Sequence, residues 1–72
     1  MSLEEFSLLS YQDQLRLISS SGKLKSSQIA NGYQFTLYRL SGFYVELKRN
    51  IHELSFEKIT PLNYNDLPQQ YR

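Results

Sequence analysis

The stretch Gly32-Tyr33-Gln34-Phe35-Thr36-Leu37-Tyr38-Arg39-Leu40-Ser41-Gly42-Phe43-Tyr44-Val45-Glu46 decides the fold. On either side of Ser41-Gly42 it is rich in aromatic and β-branched residues that alternate with period two, the pattern of two strands joined by a tight turn. Working outward, the same texture recurs with turn signals at Asn31-Gly32 and Arg49-Asn50. These breaks divide the chain into four strands at about 24–30, 33–39, 43–48 and 51–59, ordered as an antiparallel meander.

Side-chain parity then suggests a register. A two-residue Ser41-Gly42 loop puts Phe43, Val45 and Leu47 on one face with Gln34 and Thr36, and turns Tyr33, Phe35 and Leu37 the other way. A three-residue loop, Leu40-Ser41-Gly42 with glycine as a G1 bulge, groups Phe35 and Leu37 with Val45 and Leu47. It leaves Gln34, Thr36 and Tyr38 opposite Tyr44, Glu46 and Lys48. Because a one-residue slip flips every side chain, this segregation favours the bulged loop. By the same logic Ala30-Asn31-Gly32 reads as a bulged turn that brings Ile29 beside Tyr33. A two-residue Arg49-Asn50 turn sets Leu54 and Phe56 opposite Val45 and Phe43.

Upstream, the period changes to that of a helix. Ser2 with Glu5 and Ser10 with Asp13 have capping-box spacing. They predict a short turn near residues 3–8 and a main helix from about 11 to 20, with Tyr11, Leu15 and Ile18 on its apolar side and Leu8 one turn before. Ser19-Ser20-Ser21-Gly22 ends the helix, the glycine as a C′ residue suited to positive φ. Downstream, Thr60-Pro61 closes the last strand, because proline cannot donate to a ladder. The polar tail from Asn63 to Arg72 carries Tyr64, Leu67 and Tyr71 as anchors for a short helix that Pro68 limits. The expected fold class is α+β: an N-terminal helix packed on a four-stranded antiparallel β-meander with a short C-terminal segment, residues 1–72 forming one small domain. In its core Tyr11, Leu15 and Ile18 meet Phe35, Leu37, Phe43, Val45, Leu47, Leu54 and Phe56.

The quoted stretch, Gly32 to Glu46, resembles a pattern in small uncharacterised bacterial proteins, in which a short helix ending in glycine precedes a hairpin of similar glycine, tyrosine and β-branched texture. The resemblance spans about residues 10–59. It implies the helix-plus-meander architecture and brings no activity, cofactor or site residue.

Composition narrows the function classes. A chain of 72 residues buries only about 60% of its unfolded surface, and scaffolds of this size commonly lean on disulfides, metals or oligomerisation. There is no cysteine and one histidine, His52, so neither a disulfide nor a Cys/His zinc site is expected. Eight basic and seven acidic residues give a net charge of +1, which provides no broad field for nucleic acid or an anionic membrane. No apolar run approaches the roughly 20 residues of a membrane span. The start, Met1-Ser2-Leu3-Glu4-Glu5-Phe6, lacks a secretory pattern, and a cytoplasmic location is the default expectation.

Chemistry-bearing constellations are sparse. No Gly-x-Ser-x-Gly elbow or Gly-rich phosphate loop occurs, so no cofactor or small-molecule ligand is expected. In the bulged register Glu46 and Glu53 face each other across strands, with His52 opposite Leu47. An enzyme built from His52 with Glu46 or Glu53 is the least supported reading, since an open sheet face offers little concavity. Lys23, Lys25, Arg39 and Lys58 gather toward one end of the meander and define the alternative, a weak nucleic-acid-binding module. The missing RNP-type motif and the acids on the outer face argue against it.

The leading expectation is a non-enzymatic protein-interaction module, a homodimer or complex subunit, using a sheet edge or a tyrosine-bearing face. Tyr38 and Tyr44 pair on the outer face of the bulged register, Leu40 is exposed in the loop, and Tyr64 and Tyr71 follow in the tail. The first strand, with Ile29 and few core residues, reads as an edge able to pair with a copy of itself. Tyr38, Leu40, Tyr44, Ile29, Tyr64 and Tyr71 are therefore the candidate interface, unless the tail folds back over the tyrosines.

Overall fold

A computed structural model describes residues 1–53 and 58–71. Two helices, α1 (Leu3–Ser7) and α2 (Tyr11–Ser21), precede four strands, β1 (Lys23–Ala30), β2 (Tyr33–Leu40), β3 (Phe43–Asn50) and β4 (Lys58–Leu62). Two single-turn 3-10 segments, Tyr64–Asp66 and Gln69–Tyr71, complete the chain. The strands form one antiparallel sheet in the order β1-β2-β3-β4. The protein is α+β, with a β-meander following the helices.

Local chemistry starts both helices where the spacing places them. Glu5 N–H donates to Ser2 Oγ (3.1 Å) and Ser2 N–H to Glu5 Oε1 (2.9 Å), a complete capping box. Asp13 N–H donates to Ser10 Oγ at 3.1 Å. The helices are tied together by Gln14, whose Nε2 donates to the Phe6 carbonyl at 3.0 Å. Gly22 ends α2 with φ −76° rather than a positive value. Its glycine is required by space: a Cβ there would lie 2.6 Å from the Ile18 carbonyl oxygen.

The hairpins depart from the bulged register. Leu40 pairs directly with Phe43 and Ala30 with Tyr33, so Ser41-Gly42 and Asn31-Gly32 are both two-residue turns. Asn31 (φ 53°) and Gly32 (φ 82°) both take positive φ, the signature of a type I′ turn whose twist matches the strands it joins. The one irregularity in β1 falls between Leu24 and Ser26, where a bulge re-aims the strand start. Arg49-Asn50 is not a turn: β3 runs to Asn50, which pairs with Tyr33, and the chain turns over residues 50–53 with Glu53 N–H on the Asn50 carbonyl. β4 begins at Lys58 and includes Pro61, which pairs with Val45; an edge strand tolerates a proline that a central one would not. The expected partners Leu54 and Phe56 lie outside the described residues.

The register flip exchanges the faces. Leu40, Phe43, Val45 and Leu47 share the helix-facing side with Tyr38 and Thr36, while Phe35 and Leu37 point the other way with Tyr44 and Glu46. The main core is Phe6, Ile18, Leu40, Phe43, Val45 and Leu47, with Leu3, Leu9, Leu17, Tyr38 and Ile59 packed against it. Phe6, fully buried, stacks in a tilted arrangement on Phe43 with ring centroids 5.5 Å apart. Ile18 is buried as expected, but Tyr11 and Leu8 are exposed and Leu15 only half-buried, because Phe6 of α1 supplies the aromatic that caps the sheet.

Segregation of Phe35 and Leu37 from Val45 and Leu47 is possible because the second face also has a cover. Leu37 and Leu67 are buried yet stand apart from the main core. The Tyr71 hydroxyl donates to Glu46 Oε2 at 2.8 Å, and the Tyr44 and Tyr64 rings meet at 6.2 Å. The tail therefore lies across the β3 side of that face. A bulge in the β2–β3 turn is needed only if one face holds all the apolar residues; with two covered faces, the two-residue turn suffices.

Candidate functional site

The six candidate interface residues separate into three places. Tyr38 and Leu40 lie on the helix side, Leu40 being only 5% exposed rather than lying open in a loop. Tyr38 pairs with Val45 and Tyr44 with Arg39, so the two tyrosines do not form a cross-strand pair. Tyr44, Tyr64 and Tyr71 do come together, on the far face, but as a contact between the tail and the sheet. Ile29 stands alone among the six, 69% exposed on β1.

The exposed strand is thus the site left to consider. Among the described residues β1 is paired on one side only, with β2. Ile51 N–H donates to the Gly32 carbonyl at 3.1 Å, which shows that the odd-numbered residues of β3 turn their backbone groups toward β2. Alternation carried across the two-residue turns then points Ser26, Gln28 and Ala30 at β2 and leaves Ser27 and Ile29 with outward-facing N–H and C=O groups. Leu24, opposite Tyr38, and Ile29, opposite Gln34, both project from the helix-side face. They are 61% and 69% exposed. Leu24 was not among the expected interface residues, because the bulge that gives it the same face as Ile29 has no signature in the sequence.

Side chains brace this edge. Arg49 Nη2 donates to Gln34 Oε1 at 2.6 Å, and Gln34 Nε2 donates to Ser27 Oγ at 3.1 Å. The relay crosses β3, β2 and β1 beside Ile29 and holds the strand in place. Ser26–Ala30 carries no charged residue, the condition under which an edge can accept another strand without electrostatic opposition.

The other candidate groups are dispersed. Glu46 lies opposite Leu37 and Thr60, whereas Glu53 is in the exposed turn after β3, so the two carboxylates do not face each other. His52 is in the same exposed turn, its backbone N–H on Asn50 Oδ1 at 2.9 Å, and not opposite Leu47, which pairs with Thr36 and Ile59. Lys23 and Arg39 are direct cross-strand partners, with Lys25 at the bulge. Lys58 does not join them: it pairs with Lys48, four residues along β3 from Tyr44 and so roughly 13 Å away along the sheet. Lys48 Nζ in turn sits 4.2 Å from the centre of the Tyr33 ring.

The acidity of Glu5 is displaced. The Ser2 backbone N–H, then the Ser2 hydroxyl, then the N-terminal ammonium hold its carboxyl below the usual carboxylate range. This serves the α1 cap, away from the β1 edge. Among the described residues no group of three or more His, Cys, Asp or Glu side chains is placed to hold a metal ion. None of their helices is long and apolar enough to cross a membrane. No family model, curated protein or solved structure matches the chain.

Proposed function

We propose that the protein is a non-enzymatic interaction module whose β1 edge pairs with the same edge of a second copy. The observation that carries this reading is an eight-residue edge strand that exposes Leu24 and Ile29 on one face, while on the opposite face Tyr44 is met by the chain's own tail. Antiparallel pairing about a two-fold axis at Gln28 sets Ser27 against Ile29 of the second copy and Ser26 against its Ala30. Both faces then match, since Ser27 and Ile29 share one side and Ser26 and Ala30 the other. Ser27 and Ile29 are also the residues whose backbone groups face outward, so each pair can exchange two hydrogen bonds. Lys23 and Lys25 fall beyond the paired segment and never oppose their own copies, which would be destabilising.

Sedimentation across a range of concentrations, together with thermal melts, tests this. The expected outcome is a monomer–dimer equilibrium and a melting temperature that falls on dilution. Ser27→Pro, which removes an outward-facing donor, and Ile29→Lys, which brings charge to the pairing segment, are expected to give monomers that still unfold cooperatively. A parent chain that remains monomeric at high concentration with a melting temperature independent of dilution overturns the proposal. So does a dimer that both variants leave intact.

A further inference from the structure

A second feature lies at the opposite end of β1 from the pairing segment. A hollow of about 370 Å³ is lined by Ser21, Lys23, Arg39, Leu40, Ser41 and Gly42. It sits where the end of α2, the start of β1 and the β2–β3 turn converge. From its floor and rim we infer that it is a binding site for a tetrahedral oxyanion, as an inorganic phosphate ion or as the phosphate group of a monoester.

Three observations support this. First, Lys23 and Arg39 stand directly opposite each other across β1 and β2. Like charges in that position are destabilising unless something lies between them. No acid is among the lining residues, and the one ion pair within the described residues, Arg16 with Asp13, is elsewhere. The acid nearest in the register, Glu46, is one row away on the same face and accepts from Tyr71.

Second, the charge is not met by the helix. The C-terminal end of α2 presents roughly half a negative charge, which explains a lysine just after Gly22 but leaves about one and a half positive charges of the pair unmet by any ion pair among the described residues. A phosphate dianion is of the right size of charge to meet that remainder. The Arg39 guanidinium supplies the planar fork that binds two oxyanion oxygens at once, and Lys23 supplies a point charge.

Third, the rim is open and polar. A Cβ placed on Gly42 would have no atom within 4 Å, so the turn backbone is directly approachable by a ligand. Ser21 and Ser41 bring hydroxyls that can donate to the remaining oxygens. Leu40, also part of the lining, turns its buried side chain to the helix side of the sheet, away from the face that carries Lys23 and Arg39.

Amide chemical shifts of the full chain provide the test, titrated at constant ionic strength with inorganic phosphate and, separately, with glycerol phosphate against a sodium chloride control. Saturable shifts are expected at Lys23, Arg39, Ser41 and Gly42. Arg39→Gln and Lys23→Gln are each expected to weaken binding roughly five-fold or more. Both are exposed positions, so the variants remain folded, as a melt of each verifies. Tighter binding of the free ion, or of the monoester, identifies which source of the phosphate group the hollow suits. Shifts that chloride reproduces, that grow linearly without saturation for both anions, or that persist unchanged in both variants overturn the inference. These readouts are independent of β1 self-pairing, which a failure here would leave standing.

Discussion

Truncating Leu67 to alanine is the most direct measure of whether the tail is part of the folded unit. Leu67 is 4% exposed and lies in the single residue of bend that follows the first 3-10 turn. Leu→Ala at buried sites costs about 2–5 kcal/mol, the loss including the cavity left behind. The tail is a thin cover that can settle toward the sheet, which places the expected cost at the lower end, about 2–3 kcal/mol. A chain of 72 residues has a total stability of about 4–11 kcal/mol, so this one side chain carries a substantial fraction of it. For domains of this length each kcal/mol moves the melting temperature by about 4–8 °C, giving an expected fall of about 10–20 °C. Thermal and urea melts measure the cost. Near-ultraviolet circular dichroism reports in parallel on the Tyr44–Tyr64 contact, whose signal is expected to weaken with the tail. Tyr64→Ala is the companion variant: Tyr64 is 60% exposed, and its loss is expected to cost under about 1 kcal/mol. If Leu67→Ala melts within 2 °C or so of the parent with its aromatic signal unchanged, the second covered face does not exist in solution, and the explanation offered for the unbulged register fails with it.

Four further outcomes are expected. Phe6→Ala removes a fully buried ring stacked on Phe43, at a cost of about 3–5 kcal/mol, and calorimetry is expected to show a melting temperature lower by about 12 °C or more. Gly22→Ala forces a Cβ to within 2.6 Å of the Ile18 carbonyl and is expected to cost about 1–3 kcal/mol in a denaturant melt, although the backbone angle itself suits alanine. Asn31→Val places a β-branched residue at φ 53° and is expected to lose about 1–2 kcal/mol, whereas Asn31→Gly stays close to the parent. Glu5 has a folded-state acidity below its unfolded value. Its contribution to α1 is therefore complete above the unfolded value and lost as pH falls through the folded one. Protection of the Leu3–Ser7 amides, taken relative to the intrinsic exchange rate at each pH, is expected to fall in that window, and Glu5→Gln is expected to abolish that change.

Where the sequence could be read correctly, the determinants were local. The hydroxyl–acid spacings Ser2/Glu5 and Ser10/Asp13 start both helices, and the dipeptides Asn31-Gly32 and Ser41-Gly42 set the two hairpins. The order of the meander follows from the short connections between strands. Register and face could not be read in the same way, because they depend on what covers each side of the sheet. Gathering every large apolar side chain onto one face is sound for a two-layer protein and wrong here, since Leu67 and Tyr71 bring a second cover from the far end of the chain. That one displacement accounts for the reassignment of Tyr38, Leu40 and Phe35, whereas the Glu46–Glu53 pair is lost because β3 runs on to Asn50 and leaves Glu53 in the turn that follows. The shift of Lys58 away from Lys23 and Arg39 has a different cause: β4 starts at Lys58 and pairs it with Lys48. The bulge after Leu24 is likewise a tertiary fact, carried by an edge strand whose own sequence is polar and nondescript, whereas the nearness of Lys23 to Arg39 follows from the order of the meander.

Pro61 bears on how many chains could join through their sheets. Its pairing partner is Val45, and the alternation set by Ile51 and Gly32 turns its nitrogen outward, where it has no hydrogen to give. The two margins of the sheet are therefore unequal, one able to exchange hydrogen bonds along Ser27 and Ile29 and the other interrupted in mid-strand. Head-to-tail stacking, in which β1 of one chain meets β4 of the next, would extend without limit into a fibre. Pro61 interrupts that route, while two like margins meeting about a two-fold axis use up both binding surfaces and stop. A protein too small to hide its margins can in this way limit association to a closed pair through one imino acid on the side that must stay single.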